Sequence, residues 1–144
     1  MRLLLSLFVV LAMAGCDYFA PPYQQQADER AVRGYEGLSL ILAKAELGSL
    51  TRATSFAGEA EGYAKVISDI ETARLVVGGA APRPNSPAEE AARLLDRIVG
   101  RCLSAVKLLA EQHKEFGLDP EDGIIAPTRL TCDLAVKAIQ ARKG

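Results

Sequence analysis

The chain has 144 residues, 24% of them charged and 49% drawn from the apolar classes, which excludes a disordered or collagen-like polymer and favours one domain. Its 17 basic and 18 acidic side chains leave a formal net charge of −1, which gives no reason to expect nucleic acid, whose binding needs a basic footprint. One histidine, no tryptophan and three cysteines narrow the chemistry further.

Met1-Arg2 carries one positive side chain, and an apolar run from Leu3 to Ala12 follows, interrupted only by Ser6. Small residues Ala14-Gly15 then precede Cys16. This is the charged, apolar and small-residue order of an export signal. Its apolar part, as a helix, spans only ~15 Å, about half a bilayer core.

With Cys16 directly after the small residues, the segment resembles a bacterial lipoprotein precursor with its lipobox. Met13 stands where that pattern has a branched apolar residue. The resemblance implies a signal peptide over 1–15, cleavage before Cys16, and fatty acylation (diacylglyceryl and amide-linked palmitate-type chains) at Cys16. Two or more chains give stable anchoring, at about 0.8 kcal/mol per buried CH₂. It also implies a bacterial cell envelope location, lipid-anchored and facing the periplasm. Asp17 resembles the signal for retention in the inner membrane. Residues 16–26 read as a semi-extended tether, with Tyr18, Phe19 and Tyr23 expected at the headgroups.

From residue 27 to 144 apolar residues recur at three and four, and the expectation is an all-α, small antiparallel four-helix bundle. The first helix is expected over 27–47, with Ala31, Tyr35, Leu38, Leu42 and Ala45 inward, Val32 and Ile41 beside them. The second is expected over 51–77, with Phe56, Ala60, Tyr63, Ile67 and Ile70 inward. Gly48-Ser49 is the break between them; one kinked helix over 27–77 is the alternative. Small residues on the second helix, Gly58 and Gly62 among them, suggest tight packing.

The third helix is expected over 87–116. Ser86-Pro87-Ala88-Glu89 is a capping box with proline at the first helical position. Leu95, Ile98, Cys102, Ala105, Leu109 and Phe116 form its inward stripe. The fourth is expected over 128–142, with Leu130, Leu134 and Ala138 inward and Val136 and Ile139 on the flank. Its Arg129, Asp133 and Lys137 alternate in a way that suggests self-pairing.

With Cys16 assigned to lipid, Cys102 and Cys132 remain, and an oxidising compartment favours a disulfide. Cys102 lies ~21 Å before the end of its helix and Cys132 ~6 Å into the next. A tight hairpin leaves them ~15 Å apart, too far to bond. They meet only if the connection Gly117–Pro127 descends beside the third helix. Leu95 and Ile98 then contact Val136 or Ile139, while Leu109 and Phe116 pack on the first two helices. Two buried thiols are one alternative; a redox or metal role, which lacks a third ligand or a Cys-x-x-Cys spacing, is the other.

Candidate chemistry is sparse. His113, near a helix C-terminus, is favoured there as imidazolium and reads as structural or solvent-facing. Asp119-Pro120-Glu121-Asp122-Gly123 departs from a calcium loop, its glycine at position five and Leu130 at twelve. No metal site and no cofactor are expected. Arg93, Arg97 and Arg101 lie on successive turns, with Arg83 upstream. They read either as a solvated face, Glu89 pairing Arg93, or as a docking stripe for an acidic partner or anionic headgroups.

The sum points to a membrane-anchored, non-enzymatic helical interaction or adaptor module with an envelope protein partner. The layout is similar to the small helical pilotins that escort secretin subunits, and equally to phage or plasmid exclusion lipoproteins. A carrier of small apolar ligands, using Tyr35, Phe56, Tyr63 and Phe116, is a further reading. A hydrolase using Glu46, Glu59 or Glu111 is the least marked.

Overall fold

The computed structural model describes residues 23–79 and 84–143. Four α-helices are present there: α1 Gln25–Glu46, α2 Phe56–Gly79, α3 Pro87–Phe116 and α4 Ile125–Gln140. Each packs on the next and α4 closes back on α1, an up-down-up-down bundle. Antiparallel neighbours are shown by the ion pairs. Lys44–Glu59 and Arg30–Asp69 tie α1 to α2, Arg74–Asp96 ties α2 to α3, and Arg129–Glu46 ties α4 to α1. Cys16, Asp17, Tyr18, Phe19 and Arg83 lie outside the described residues.

The break at Gly48 is real, and the first two helices are separate. Gly48, at φ +72°, donates to the Ala45 carbonyl while Ser49 donates to that of Lys44. This left-handed cap satisfies the last carbonyls of α1 and turns the chain. Leu50 then enters the core, and a single 3₁₀ turn, Ala53–Ser55, leads into α2. That buried leucine delays the second helix to residue 56, five residues later than expected.

The close approach of α1 and α2 resides on α1. A Cβ at Gly34 would stand 2.8 Å from Ile70 Cγ1, and one at Gly37 2.9 Å from Val66 Cγ2. Gly58, expected to serve tight packing, is exposed with nothing within 4 Å. A Cβ at Gly62 would meet Ile41 Cδ1 at an ordinary 3.6 Å and Glu59 Oε2 at 4.0 Å.

Helix α3 starts and stops where its sequence marks it. Ser86 Oγ accepts from the Glu89 N–H at 3.2 Å, and Pro87 fills the first helical position. The Glu89 carboxylate reaches one residue further back than in a standard capping box, to the Asn85 N–H at 2.6 Å. Ser86→Ala should therefore cost about 1 kcal/mol in urea unfolding. A loss under about 0.3 kcal/mol would mean that the cap contributes nothing.

The buried face of α3 is Leu95, Val99, Cys102, Val106, Leu109 and His113, rotated slightly from the expected stripe. Phe116, expected on the first two helices, is 68% exposed, because the inward position of that last turn is taken by His113. In α4 the phase differs more. Ile125, Thr128, Cys132, Ala135 and Ile139 face the core. Leu130 and Leu134, expected inside, face out. The helix begins three residues early, with Pro127 in the first turn, where its missing N–H costs nothing.

Candidate functional site

Cys102 and Cys132 are bridged, with Cα atoms 4.7 Å apart and both residues buried. Cys132 lies seven residues into α4, so the descent needed is about 10 Å rather than 15. The segment 117–124 supplies it and sets α4 along the middle stretch of α3, Ile125–Gln140 lying level with about 94–109. Val99 shares the wall of a small apolar void with Val136 and Ile139 beside the bridge. That void measures about 10 Å³, too small for any organic ligand. Tyr35 borders it, whereas Phe56 stacks on Tyr63 and Phe116 stands in solvent, so the four aromatics line no common pocket.

His113 is fully buried at the end of the bundle where the loops 47–55 and 117–124 meet. Its Nε2 lies 2.8 Å from Ser55 Oγ, its Nδ1 3.2 Å from the Tyr63 hydroxyl, and the Phe56 ring meets it edge-on at 5.5 Å. Ser55 gives its single proton to the Arg52 carbonyl at 2.5 Å. Nε2 must therefore be the donor to Ser55, and Nδ1 accepts from Tyr63. The direction is opposite to that of a nucleophilic serine, whose hydroxyl donates to imidazole.

Burial pushes the His113 pKa down, partly offset by Glu59, and pushes the Tyr63 hydroxyl up. The expected imidazolium is thus replaced by a buried neutral ring, desolvation overriding the helix dipole. Because the folded pKa is depressed below 6.5, its stabilisation is complete above that value and declines as pH falls from there towards the folded pKa. Urea midpoints at pH 8 and pH 5 should fall for the native chain and fall less for His113→Gln. Parallel decreases in both chains would contradict a buried neutral ring. No other histidine is present to produce a slope in that window.

A second polar node joins the start of α1 to the residues after α4 at the opposite end of the bundle. Asp28, 5% exposed, accepts from the Tyr23 hydroxyl at 2.7 Å and from Lys143 Nζ at 2.6 Å. Burial raises its pKa, but the hydrogen bonds from Lys143, Tyr23 and Gln140 outweigh this and leave it below the usual value. Tyr23, expected at a membrane surface, is thereby half-buried on the bundle, with Lys143 5.5 Å over its ring. Nothing in the sequence pattern marks this node, since its partners are 115 residues apart.

Arg93 donates to Glu89 at 2.6 Å, as the spacing suggests. Arg97 and Arg101 are exposed and have no ion pair among the described residues. Arg129 pairs across to Glu46 on α1, while Lys137 pairs with Asp133 within α4. Asp119 and Asp122 are engaged by the backbone N–H groups of Glu121 and of Asp119 itself. Among the described residues no cluster of three metal-ligating side chains occurs, and no helix is long and apolar enough to cross a membrane.

Comparison with protein-family models, with curated proteins and with solved structures gives no match to this chain.

Proposed function

We propose that the chain is a lipid-anchored envelope protein whose helical bundle binds a partner protein and performs no chemistry of its own. The observation that carries this reading is Cys16, placed after two small residues at the end of an apolar run. The bundle supports it in two ways. The segment after Cys16 enters the bundle at Tyr23, which is held by Asp28, so a tether of fewer than ten residues would separate anchor from domain. The polar groups that resemble catalytic parts, Ser55, His113 and Tyr63, are satisfied by one another and by backbone.

Acylated Cys16 would hold the domain within ~30 Å of a bilayer, where Asp17 favours the inner membrane. Metabolic labelling with a fatty-acid probe tests the anchor. Native chain should label and sediment with membranes, and Cys16→Ser should do neither. Equal labelling of the two would refute the lipoprotein reading.

A further inference from the structure

Five of the eight exposed large apolar side chains among the described residues lie on α3 and α4; besides Phe116 at the end of α3 they are Leu94, Leu108, Leu130 and Leu134, at 51%, 56%, 60% and 53% exposure. On α3, Leu94 and Leu108 are two heptads apart and Arg101 stands midway, with Arg97 one turn before it. These four form one outward stripe about 21 Å long. On α4, Leu130 and Leu134 are one turn apart. The helices are antiparallel and bridged at Cys102–Cys132, which brings residues 130–134 level with 100–104. The outer shoulder of the α3–α4 seam is therefore a leucine-edged strip with two unpaired guanidinium groups along its middle, above a covalent floor.

We infer that this strip is the docking surface for an acidic amphipathic helix of a partner protein. It would present apolar side chains to the leucines and two carboxylates one turn apart to Arg97 and Arg101. The inference rests on the reading of the bundle as a binding module but not on acylation.

Charge and placement select this occupant. In a helix that lies in a bilayer surface the cations occupy the face opposite the apolar one. Here they share one line with the leucines, so inserting the leucines would carry the guanidinium groups into the acyl region. A second copy docked through the same face would set arginine against arginine. Residues 1–22 carry a single acid, Asp17, and cannot match two arginines one turn apart. A foreign helix with paired acids satisfies both the apolar edges and the charges. The bridge beneath the strip holds the two shoulders in register, which lowers the ordering cost of binding.

Two designed peptides of about 16 residues, ~24 Å as helices, provide the probe. Both carry leucines on one face; one has two glutamates a turn apart beside them and the other has lysines there. Fluorescence anisotropy with the full chain in detergent should show the glutamate peptide binding about tenfold more tightly than the lysine peptide. Arg97→Glu/Arg101→Glu should reverse that order, Leu130→Ser/Leu134→Ser should weaken both, and Arg33→Glu on α1 should change neither.

Equal affinities, no binding of either peptide, or an unchanged order in the Arg97→Glu/Arg101→Glu chain would overturn the inference. So would loss, in that variant, of cosedimentation with phosphatidylglycerol-rich vesicles, which would make the strip a lipid surface. A dimer dispersed by the same variant would overturn it in favour of a second copy. None of these results bears on labelling at Cys16, so the docking surface and the anchor succeed or fail separately.

Discussion

Gly117→Ala is expected to be the most damaging single substitution in the bundle. Gly117 ends α3 at φ +87° and ψ −176°, a region that only glycine adopts without strain. A Cβ there would also overlap the carbonyl of Thr51, which is backbone and cannot rotate away. The overlap arises because the two loops at this end are stitched together, the Leu118 N–H donating to the Leu50 carbonyl at 2.6 Å. Both leucines are buried, so the clash is transmitted into the core. Backbone strain of about 1–3 kcal/mol plus separation of the loops should remove about 3–5 kcal/mol, a large share of a 5–15 kcal/mol total. Urea unfolding of the variant measures it directly. A loss below about 1 kcal/mol would show that the two loops are not held together as described.

The second large effect belongs to the bridge. Cys102 and Cys132 are 30 residues apart, for which the chain-entropy model gives about 3.5 kcal/mol. Both sulfurs are in the core, so reduction should require prior unfolding, and reductant should act slowly on the folded chain. The reduced chain should melt at least several degrees lower, on the scale of about 4–8 °C per kcal/mol for small domains. The Cys102→Ala/Cys132→Ala variant should fall at least as far, since it also leaves a cavity beside the existing void. Two titratable thiols in the native oxidised protein would refute the bridge. An unchanged melting temperature after confirmed reduction would refute its energetic role.

Helices α1 and α3 were the most legible because local signals mark them. Ser86-Pro87 caps α3, Gly48 stops α1, and the apolar spacing in α1 and α3 gives the inward faces nearly as found. The cysteine pairing was legible for a different reason: an oxidising compartment favours a bridge between the two cysteines left after Cys16, and helix rise then required the descending connection that is present.

What escaped depends on contacts between distant segments. In α4 two apolar phases compete, the leucines at 130 and 134 and the smaller set at 125, 128, 132, 135 and 139. Hydrophobicity favours the leucines, yet the bridge draws Cys132 inward and fixes the phase of the whole helix. His113 presents the same difficulty. Its helix position favours the charged form, and only the burial supplied by Phe56, Tyr63 and Ser55, from a loop and helix 50 to 58 residues earlier, reverses that. Gly34 and Gly37 look unremarkable in α1 until Ile70 and Val66 arrive from α2. The outward leucines of α3 and α4 thus carry information that periodicity assigned to the core in one case and passed over in the other.

The lipoprotein reading turns on what happens at Cys16. Intact mass analysis of the chain purified from its native envelope, with fragmentation of its first peptide, tests this most directly. The account predicts a chain that begins at Cys16 and bears a diacylglyceryl group on its sulfur and a fatty acyl chain on its amino group. A chain that retains residues 1–15, or one that carries an unmodified Cys16, would contradict it.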